Sequence, residues 1–419
     1  MANDLQTTLS PLAPAQFPEM LPVAGVRFGV GRCGIKASST KLDLMLAVFD
    51  KPAGAAGVLT KSSTAGAPVR WCRKHLANGK ARALIVNSGN ANVYTGKAGD
   101  DAVKAAAKGV AELVNCRPGD VFVASTGVIG ETLPIDKVVK ALPKLHGKLG
   151  AKLAPGRWHD AAVAIMTTDT FPKGASIATE IGGVPVTITG IAKGSGMIAP
   201  DMATMLAYVF TDAKIPADVL QALLKSAADK SFNSITVDSD TSTSDTLQLF
   251  ATGEARHPAI VKPGDPALRA FRQALDAVCL DLAHQVVRDG EGAQKFIEIA
   301  VTGAKSARAA RCIGLSIANS PLVKTAIAGG DANWGRIVMA VGKSGEAIAE
   351  TSLDIFVGGH AVAINGAPPA GYDETPVARH MAGRDLKIHV DVGVGRGKAT
   401  VWTCDLTHGY IEINADYRS

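Results

Sequence analysis

The sequence has few aromatic residues and none of the patterns typical of metal-binding, membrane or fibrous proteins. Aromatic residues make up 5% of the 419 positions. The six cysteines lie far apart, and no CxxC or Cys/His ligand spacing occurs, which argues against a structural zinc site. We therefore expect buried, reduced thiols. No apolar stretch approaches the length of a membrane span, and no heptads, low-complexity tracts or short repeats occur.

The composition that is present is that of an ordinary globular protein. Hydrophobic residues make up 47% and charged residues 20% of the chain, which is long enough for two or three domain-sized cores. The net charge is +6 and the basic residues are scattered, so no nucleic-acid surface is indicated. The N-terminal segment MANDLQTTLSPLAPAQFPEM lacks a basic region followed by an apolar one. We expect a cytoplasmic protein with neither a nucleic-acid nor a membrane partner.

Strand-like and helix-like segments alternate along the chain, which predicts an α/β protein with mixed sheets. Pro216 is expected at the first position of a helix. The other predicted segments are strands at Lys41–Asp50, Ala83–Asn87, Val121–Ala124, Met205–Phe210 and Leu386–Val394, and helices at Ala98–Asn115 and Ala267–Val287.

One motif imitates a nucleotide-binding fingerprint. Residues Gly29–Gly34 match GxGxxG, and Asp50 follows at a plausible distance. The dinucleotide fingerprint requires a helix that opens on these glycines, so that its N-terminus meets the pyrophosphate. The segment that follows, IKASSTKLDLMLAVFD, is typical of a turn and a strand. We reject the cofactor interpretation and predict that these glycines are turn residues.

The most informative position is Thr204, in the segment KGSGMIAPDMATMLAYVFTD. A polar, glycine-rich loop there gives way abruptly to an apolar run that begins at Met205, so a hydroxyl residue lies where a loop enters a buried strand. Cleavage before Thr204 would create an N-terminal threonine, which carries a nucleophile and its own base, the α-amino group. The alternative is an ordinary β-branched residue at a strand edge.

Three further groups are candidates for binding or catalysis. Ser125-Thr126-Gly127 leave a predicted strand for a glycine turn, where the Thr126 hydroxyl and the Gly127 N–H could meet an oxyanion, or could form an ordinary Ser/Thr turn. Lys193 could bind a substrate carboxylate, or could be a solvated loop cation. Glu291, between glycines in RDGEGAQKF, could contact a cationic ligand, or could be a plain exposed turn residue.

The segment KGSGMIAPDMATMLAYVFTDA closely resembles the self-cleavage segment of the ornithine acetyltransferase family, the ArgJ-type enzymes of arginine biosynthesis. The agreement extends over nearly the whole chain. The chain departs from the family at Val93-Tyr94, where Ala-Cys is usual, and at Ser234, Ser239 and Ser244, where Arg, Gly and Asn are common. The other agreeing segments are ASTGVIGE, IMTTDTFPK, DGEGA, NSGNAN, FNSITVDSDTSTSDT, SPLVKTAIAGGDANWGRI and the C-terminal IEINADYRS.

The resemblance implies a fold and a set of functional residues. The fold would be a mixed-sheet layered sandwich of the self-cleaving ArgJ/DmpA-like type. Cleavage between Ala203 and Thr204 would give an alpha chain, residues 1–203, and a beta chain, residues 204–419, that begins with the nucleophile Thr204. Thr126 and Gly127 would form the oxyanion hole. The implied substrate-binding residues are Thr167 (which the sequence cannot separate from Thr168), Lys193, Thr204, Glu291, Asn414 and Ser419.

The resemblance also implies a reaction, the transfer of an acetyl group from N2-acetylornithine to glutamate through an acetyl-Thr204 intermediate. The enzyme would be a glutamate N-acetyltransferase that needs no metal or other cofactor, assembled as a heterotetramer of two alpha and two beta chains. Many members of the family also acetylate glutamate directly from acetyl-CoA, although we find no CoA-binding feature in the sequence. Two alternatives are open, a self-processing threonine peptidase or amidase and a non-catalytic amino-acid-binding protein.

Overall fold

The computed structural model describes residues 8–38, 40–150, 156–199 and 205–415. The described residues fall into two compact units. The larger unit comprises residues 14–233 and 240–286, and the smaller unit comprises residues 8–13, 234–239 and 287–415, within those described ranges. None of the helices in the described part of the chain is long and apolar enough to cross a membrane.

The larger unit is built on an eight-stranded mixed sheet. The strand order is β4-β3-β2-β8-β7-β6-β5, and β1 pairs with β2. The pairs β3–β4 and β7–β8 are parallel, and the others are antiparallel. The strands are β1 (Val26–Gly31), β2 (Leu44–Leu59), β3 (Lys80–Asn90), β4 (Val121–Val128), β5 (Lys173–Ile181), β6 (Val184–Lys193), β7 (Leu206–Thr211) and β8 (Thr246–Ala251).

Helices cover both faces of this sheet, so the larger unit is layered. The six helices along residues 67–288 are α1 (Ala67–Leu76), α2 (Gly96–Val114), α3 (Ile135–Gly147), α4 (Gly156–Ile165), α5 (Ala217–Lys230) and α6 (Arg269–Arg288). Alternation along β2 separates the two cores. Leu44 and Leu46 pack with α2 and α3 on one face, and Met45 and Phe49 pack with α4 on the other.

The smaller unit contains a five-stranded mixed sheet in the order β11-β10-β12-β9-β13. Strands β9 and β12 are parallel and the other pairs are antiparallel. The strands are β9 (Phe296–Ala304), β10 (Asp354–Val357), β11 (His360–Ala363), β12 (Asp385–Asp391) and β13 (Gly397–Cys404). The helices are α7 (Ala307–Ala318), α8 (Pro321–Ala328), α9 (Trp334–Gly342), α10 (Thr375–Met381) and α11 (His408–Ala415).

The prediction of an α/β protein with mixed sheets is confirmed, and every predicted strand and helix exists, with shifted ends. The predicted strand at Lys41–Asp50 is the first part of a longer strand, β2. Pro216 is the N-cap of α5 rather than its first helical residue. The start predicted for α6 was early because a short 3-10 turn at Pro266–Leu268 comes before the helix.

The glycines of the GxGxxG match lie mainly in a strand. Gly29 and Gly31 belong to β1, and the predicted turn role is correct for Gly34 alone of the three, whose φ is +82°. A Cβ at Gly29 would lie 2.3 Å from the backbone oxygen of Leu145 in α3, so glycine is required there for close packing rather than for a turn. The chain then turns into β2, as predicted, and no helix opens on these glycines.

All six cysteines lie in the described residues and are free thiols. The prediction of buried, reduced thiols is confirmed for Cys72, Cys279 and Cys404. The prediction of burial is wrong for the others, Cys33, Cys116 and Cys312, which are half-buried. Burial raises the pKa of Cys72 to about 11, which suppresses the reactive thiolate.

Candidate active site

The segment between β6 and β7 contains the predicted cleavage site. Ala203 and Thr204 lie outside the described residues, as does Ser419. The strands on either side are antiparallel neighbours, and Lys193 at the end of β6 pairs with Leu206 at the start of β7. All six residues of β7 are buried, which confirms the predicted buried strand after the glycine-rich loop.

Lys193 is a buried strand residue with 3% exposure, so the alternative of a solvated loop cation is wrong. Its Nζ donates to the Thr167 Oγ1 at 3.3 Å. The neighbouring Thr168 hydroxyl instead forms a 2.6 Å hydrogen bond with the Ser195 hydroxyl. The structure therefore brings Thr167, rather than Thr168, into contact with Lys193.

A buried carboxylate, Asp169, holds this group together and was missed by sequence reasoning. Its side chain accepts from the backbone N–H of Thr167 at 2.9 Å, from that of Gly194 at 2.6 Å, and from the Lys173 Nζ at 2.7 Å. Burial alone would raise the pKa of Asp169, but Lys173 and Lys193 outweigh burial and hold the pKa below its usual range. Asp169 is therefore ionised and provides the countercharge for two buried lysines.

The proposed oxyanion residues lie inside β4 rather than at its end. The prediction that the chain leaves the strand at Gly127 is wrong, because β4 continues to Val128 and Gly127 pairs with Gly89 of β3. The φ of Gly127 is +131°, and a Cβ there would lie 2.3 Å from the carbonyl carbon of Gly89. Thr126 is 2% exposed.

Lys36 joins the oxyanion strand pair to the Thr167 segment, and it too was missed. A Cβ added at Gly89 would lie 3.0 Å from the Lys36 Cγ. Its Nζ donates to the backbone oxygens of Leu42 and Met166, each at 2.8 Å. Burial lowers the pKa of Lys36 to about 8, although Asp43 and Asp169 act in the opposite direction. Lys36 thus links Gly89, which pairs with Gly127, to Met166, the residue before Thr167.

Asp245, one residue before β8, contacts the chain at the start of β7. Its Oδ1 accepts from the backbone N–H of Met205 at 2.9 Å. Complete burial raises the pKa of Asp245 well above its usual range, and the Met205 N–H and Lys193 oppose this shift in part. One weak signal could have revealed Asp245, namely a carboxylate directly before the apolar run TLQLF.

In the smaller unit, Glu291 and Asn414 lie together as the resemblance implied. The Asn414 Nδ2 donates to the Glu291 Oε2 at 2.8 Å. Glu291 is 9% exposed, so the alternative of a plain exposed turn residue is wrong. Gly292 has a φ of +74°, and a Cβ there would lie 2.4 Å from the backbone nitrogen of Tyr410 in α11, so the glycine allows the turn to pack on that helix.

A second buried carboxyl, Asp405, supports the Glu291 turn. Its Oδ1 accepts from the backbone N–H groups of Gln294 and Lys295, at 2.8 and 2.9 Å. The Thr407 hydroxyl donates to the backbone oxygen of Gly292 at 2.7 Å. The carboxylate of Glu291 is therefore presented by a turn that is fixed on both sides, and it is suited to a cationic ligand.

Each unit, taken by itself, has groups suited to binding or catalysis. The larger unit has a buried threonine beside a glycine with positive φ, a cation beside a hydroxyl, and buried carboxyls. The smaller unit has a fixed carboxylate. Among the described residues, no three His, Cys, Asp or Glu side chains are grouped so that they could hold a metal ion.

Comparison with known proteins gives one consistent result. The model of the ArgJ family matches residues 27–419. The arginine biosynthesis bifunctional protein ArgJ of Gluconobacter oxydans is 57% identical over 411 residues, which cover 98% of this chain and 96% of that protein. The protein of the same name from Brucella suis is 54% identical over 418 residues, which cover 99% of this chain and 100% of that protein. A crystal structure of ArgJ from Bacillus halodurans is 41% identical, covers 50% of this chain and 98% of that chain, and gives a TM-score of 0.48.

Proposed function

The chain belongs to the ArgJ family, and from this we propose that it is a glutamate N-acetyltransferase of arginine biosynthesis. It transfers the acetyl group of N2-acetylornithine to glutamate. The observation that carries the proposal is the family match over residues 27–419, since that range includes every residue assigned a role below. The contacts of Lys193, Thr167 and Glu291 give it chemical support.

Maturation comes first in the proposed sequence. The Thr204 Oγ attacks the carbonyl carbon of Ala203, the bond from that carbon to the Thr204 nitrogen breaks, and the nitrogen takes up a proton. Water then hydrolyses the resulting ester, which leaves a carboxylate on Ala203 and both an amine and a hydroxyl on Thr204. Nucleophile and base are thereafter present on one residue.

Acetyl transfer uses the same hydroxyl. The Thr204 Oγ attacks the acetyl carbonyl carbon of N2-acetylornithine, and the α-amine takes the hydroxyl proton and passes it to the departing N2 of ornithine. The amine of glutamate then attacks the acetyl ester, and the Thr204 hydroxyl is restored. The Thr126 hydroxyl and the Gly127 N–H stabilise the oxyanion in both halves of the reaction. No step as written uses a metal or another cofactor.

The proposal assigns the anionic and cationic groups of the substrate to different residues. Lys193, with Thr167 beside it, offers a cation and a hydroxyl to a substrate carboxylate. Glu291, held by Asn414, offers a carboxylate to the cationic side chain of ornithine. Ser419 keeps the binding role that the family resemblance implies. Asp169 is assigned an indirect role, because it sets the charge state around Lys193 without being offered to the substrate.

Three further features belong to the proposal. The name of the relatives, a bifunctional protein, supports a second activity, which we take to be acetylation of glutamate with acetyl-CoA as co-substrate. The fragments assemble as two alpha and two beta chains. The proposed location of the enzyme is the cytoplasm.

The test uses purified full-length protein and the variant Thr204→Ala. We expect the wild type to give two fragments on a denaturing gel, with Thr204 as the new N-terminus, and to form N-acetylglutamate and ornithine. The Thr204→Ala variant should stay whole and inactive. Release of free acetate with or without glutamate would favour the amidase, and an uncut, inactive wild type that binds ornithine would favour the binding protein.

A further inference from the structure

Met205 is held on both sides by consecutive residues of one neighbouring segment. Its backbone N–H donates to the Asp245 Oδ1 at 2.9 Å. Its backbone oxygen accepts from the Thr246 N–H at 3.1 Å. Strands β7 and β8 run parallel, with Leu206 opposite Thr246, so Asp245 lies where the ladder would otherwise end. The side chain of Asp245 extends the hydrogen bonding of β7 by one residue toward residue 204.

Asp245 makes this contact in an unfavourable environment for a carboxyl group. The residue is fully buried, and its backbone oxygen accepts from the Thr60 N–H at 3.0 Å. Its Oδ2 has no hydrogen-bond partner among the residues that the structure describes. A buried polar atom without a partner destabilises a fold and is uncommon in native proteins. Asp245 therefore makes its contact with Met205 at a cost in stability.

We propose that Asp245 is a positioning residue for self-cleavage, which anchors the backbone at Met205, directly after the proposed nucleophile. The bond holds the backbone N–H of Met205, the first described residue after the proposed cut, in one direction. Rotation on the C-terminal side of the nucleophile is thereby restricted. The inference rests on the proposed function, in which Thr204 is that nucleophile. Misplacement of a reacting group by about 1 Å costs on the order of a hundredfold in rate.

The protonation state of Asp245 decides which variants are informative. Burial raises the pKa of this carboxyl well above its usual range, which favours the neutral form. A neutral carboxyl accepts the Met205 N–H through its carbonyl oxygen, and an asparagine amide can accept it in the same way. Asp245→Asn therefore keeps the contact, whereas Asp245→Ala removes it.

Asp212 provides a matched control at the opposite end of β7. Its Oδ1 accepts from the backbone N–H of Thr187 in β6 at 2.8 Å. Asp212→Ala therefore also loses a hydrogen bond from a backbone N–H to a carboxyl oxygen at the end of β7. At the rise per residue of a β-strand, Asp212 lies about 20 Å from Met205.

The experiment follows cleavage of full-length chains made in a cell-free translation system, by denaturing electrophoresis over time. We expect Asp245→Ala to slow cleavage on the order of ten- to a hundredfold. We expect Asp245→Asn to be cleaved within about threefold of the wild-type rate, because the contact is kept. Asp212→Ala should be cleaved at the wild-type rate. Thermal unfolding of each variant shows whether it is folded. If Asp245→Ala does not fold, Asp245→Glu takes its place in the comparison, because its carboxyl is displaced by one methylene.

Three results would overturn the inference. The first is a folded Asp245→Ala or Asp245→Glu chain that is cleaved at the wild-type rate. The second is Asp245→Asn cleaved as slowly as Asp245→Ala, which would make the charge the important property. The third is Asp212→Ala slowed as much as Asp245→Ala at the same loss of thermal stability, which would make the role purely structural. A wild type that is never cleaved overturns the proposed function, and this inference with it.

Discussion

Thr126 is buried and lies next to Gly127, so its hydroxyl is suited to bind an oxyanion away from bulk water. Thr126→Ala should lower kcat for acetyl transfer by about 10²–10³-fold, which is typical for the loss of one oxyanion donor. Thr126→Ser keeps the donor and should retain most of the activity. The measurement is kcat with saturating N2-acetylornithine and glutamate, and an Ala variant with the wild-type kcat would exclude Thr126 from the oxyanion hole.

Glu291 allows binding to be separated from maturation. Glu291→Gln should raise KM for N2-acetylornithine about ten- to a hundredfold, because a hydrogen bond to a charged group contributes about 1.5–3 kcal/mol. Cleavage should be unaffected, since it needs no substrate. The control is Glu298→Gln in β9, where Glu298 accepts from the Trp402 Nε1 at 3.2 Å. An unchanged KM in Glu291→Gln, or an effect of equal size in the control, would contradict the assigned role.

Asp245 also predicts a pH dependence of stability. Its folded-state pKa lies well above the unfolded value of about 3.9, so the folded state holds a proton that the unfolded state releases. This contribution to stability is fully present below about pH 4 and is lost as the pH rises toward the folded-state pKa. Asp245→Asn has no such loss. The comparison uses uncut Thr204→Ala chains with and without Asp245→Asn. The melting temperature of the Asn variant minus that of the chain with Asp245 should therefore increase between pH 5 and pH 8. A constant or falling difference would show that Asp245 is ionised when folded.

At the scale of the element, Gly127 sets the spacing of β3 and β4. A Cβ at this position would meet the carbonyl carbon of Gly89 at 2.3 Å, and the φ of +131° is itself unfavourable for other residues. Gly130, with a φ of +86°, has no atom within 4 Å of the position of a Cβ among its described neighbours. Gly127→Ala should lower the melting temperature clearly more than Gly130→Ala, whose cost is about 1–2 kcal/mol of backbone strain. Equal effects would show that the strand contact is not tight.

The elements themselves were largely predictable, because apolar alternation and the run Met205–Phe210 are local signals. The burial and the hydrogen-bond partners of the polar residues on these elements were not predictable. Lys193 is the last residue of β6 and precedes a glycine-rich loop, and its charge interacts with Asp169, on a separate segment of the chain. Lys36 and Asp245 were missed for the same reason, since each contacts backbone groups that are remote in sequence. Chemistry that depends on long-range pairing leaves little trace in a single sequence.

At the scale of the whole molecule, the proposed cut divides a sheet rather than separating two domains. Strands β7 and β8 follow residue 204, yet they lie between β2 and β6, which both precede it. The beta chain thus supplies two adjacent interior strands to a sheet whose other strands belong to the alpha chain. Neither fragment can complete this sheet alone, and exposed strand edges favour aggregation.

The fragments should therefore stay together after cleavage. On a sizing column without denaturant, both should elute in one peak at the volume of uncut Thr204→Ala, with a scattering mass near twice 43.1 kDa if two of each assemble. Guanidinium should be needed to separate them, because release of the beta chain breaks the ladders β2–β8 and β6–β7 at once. Residues 1–203 expressed alone should be insoluble, since they lack the two strands that lie between β2 and β6. Fragments that elute separately under native conditions, or a soluble and folded alpha chain made alone, would show that the sheet does not depend on both pieces.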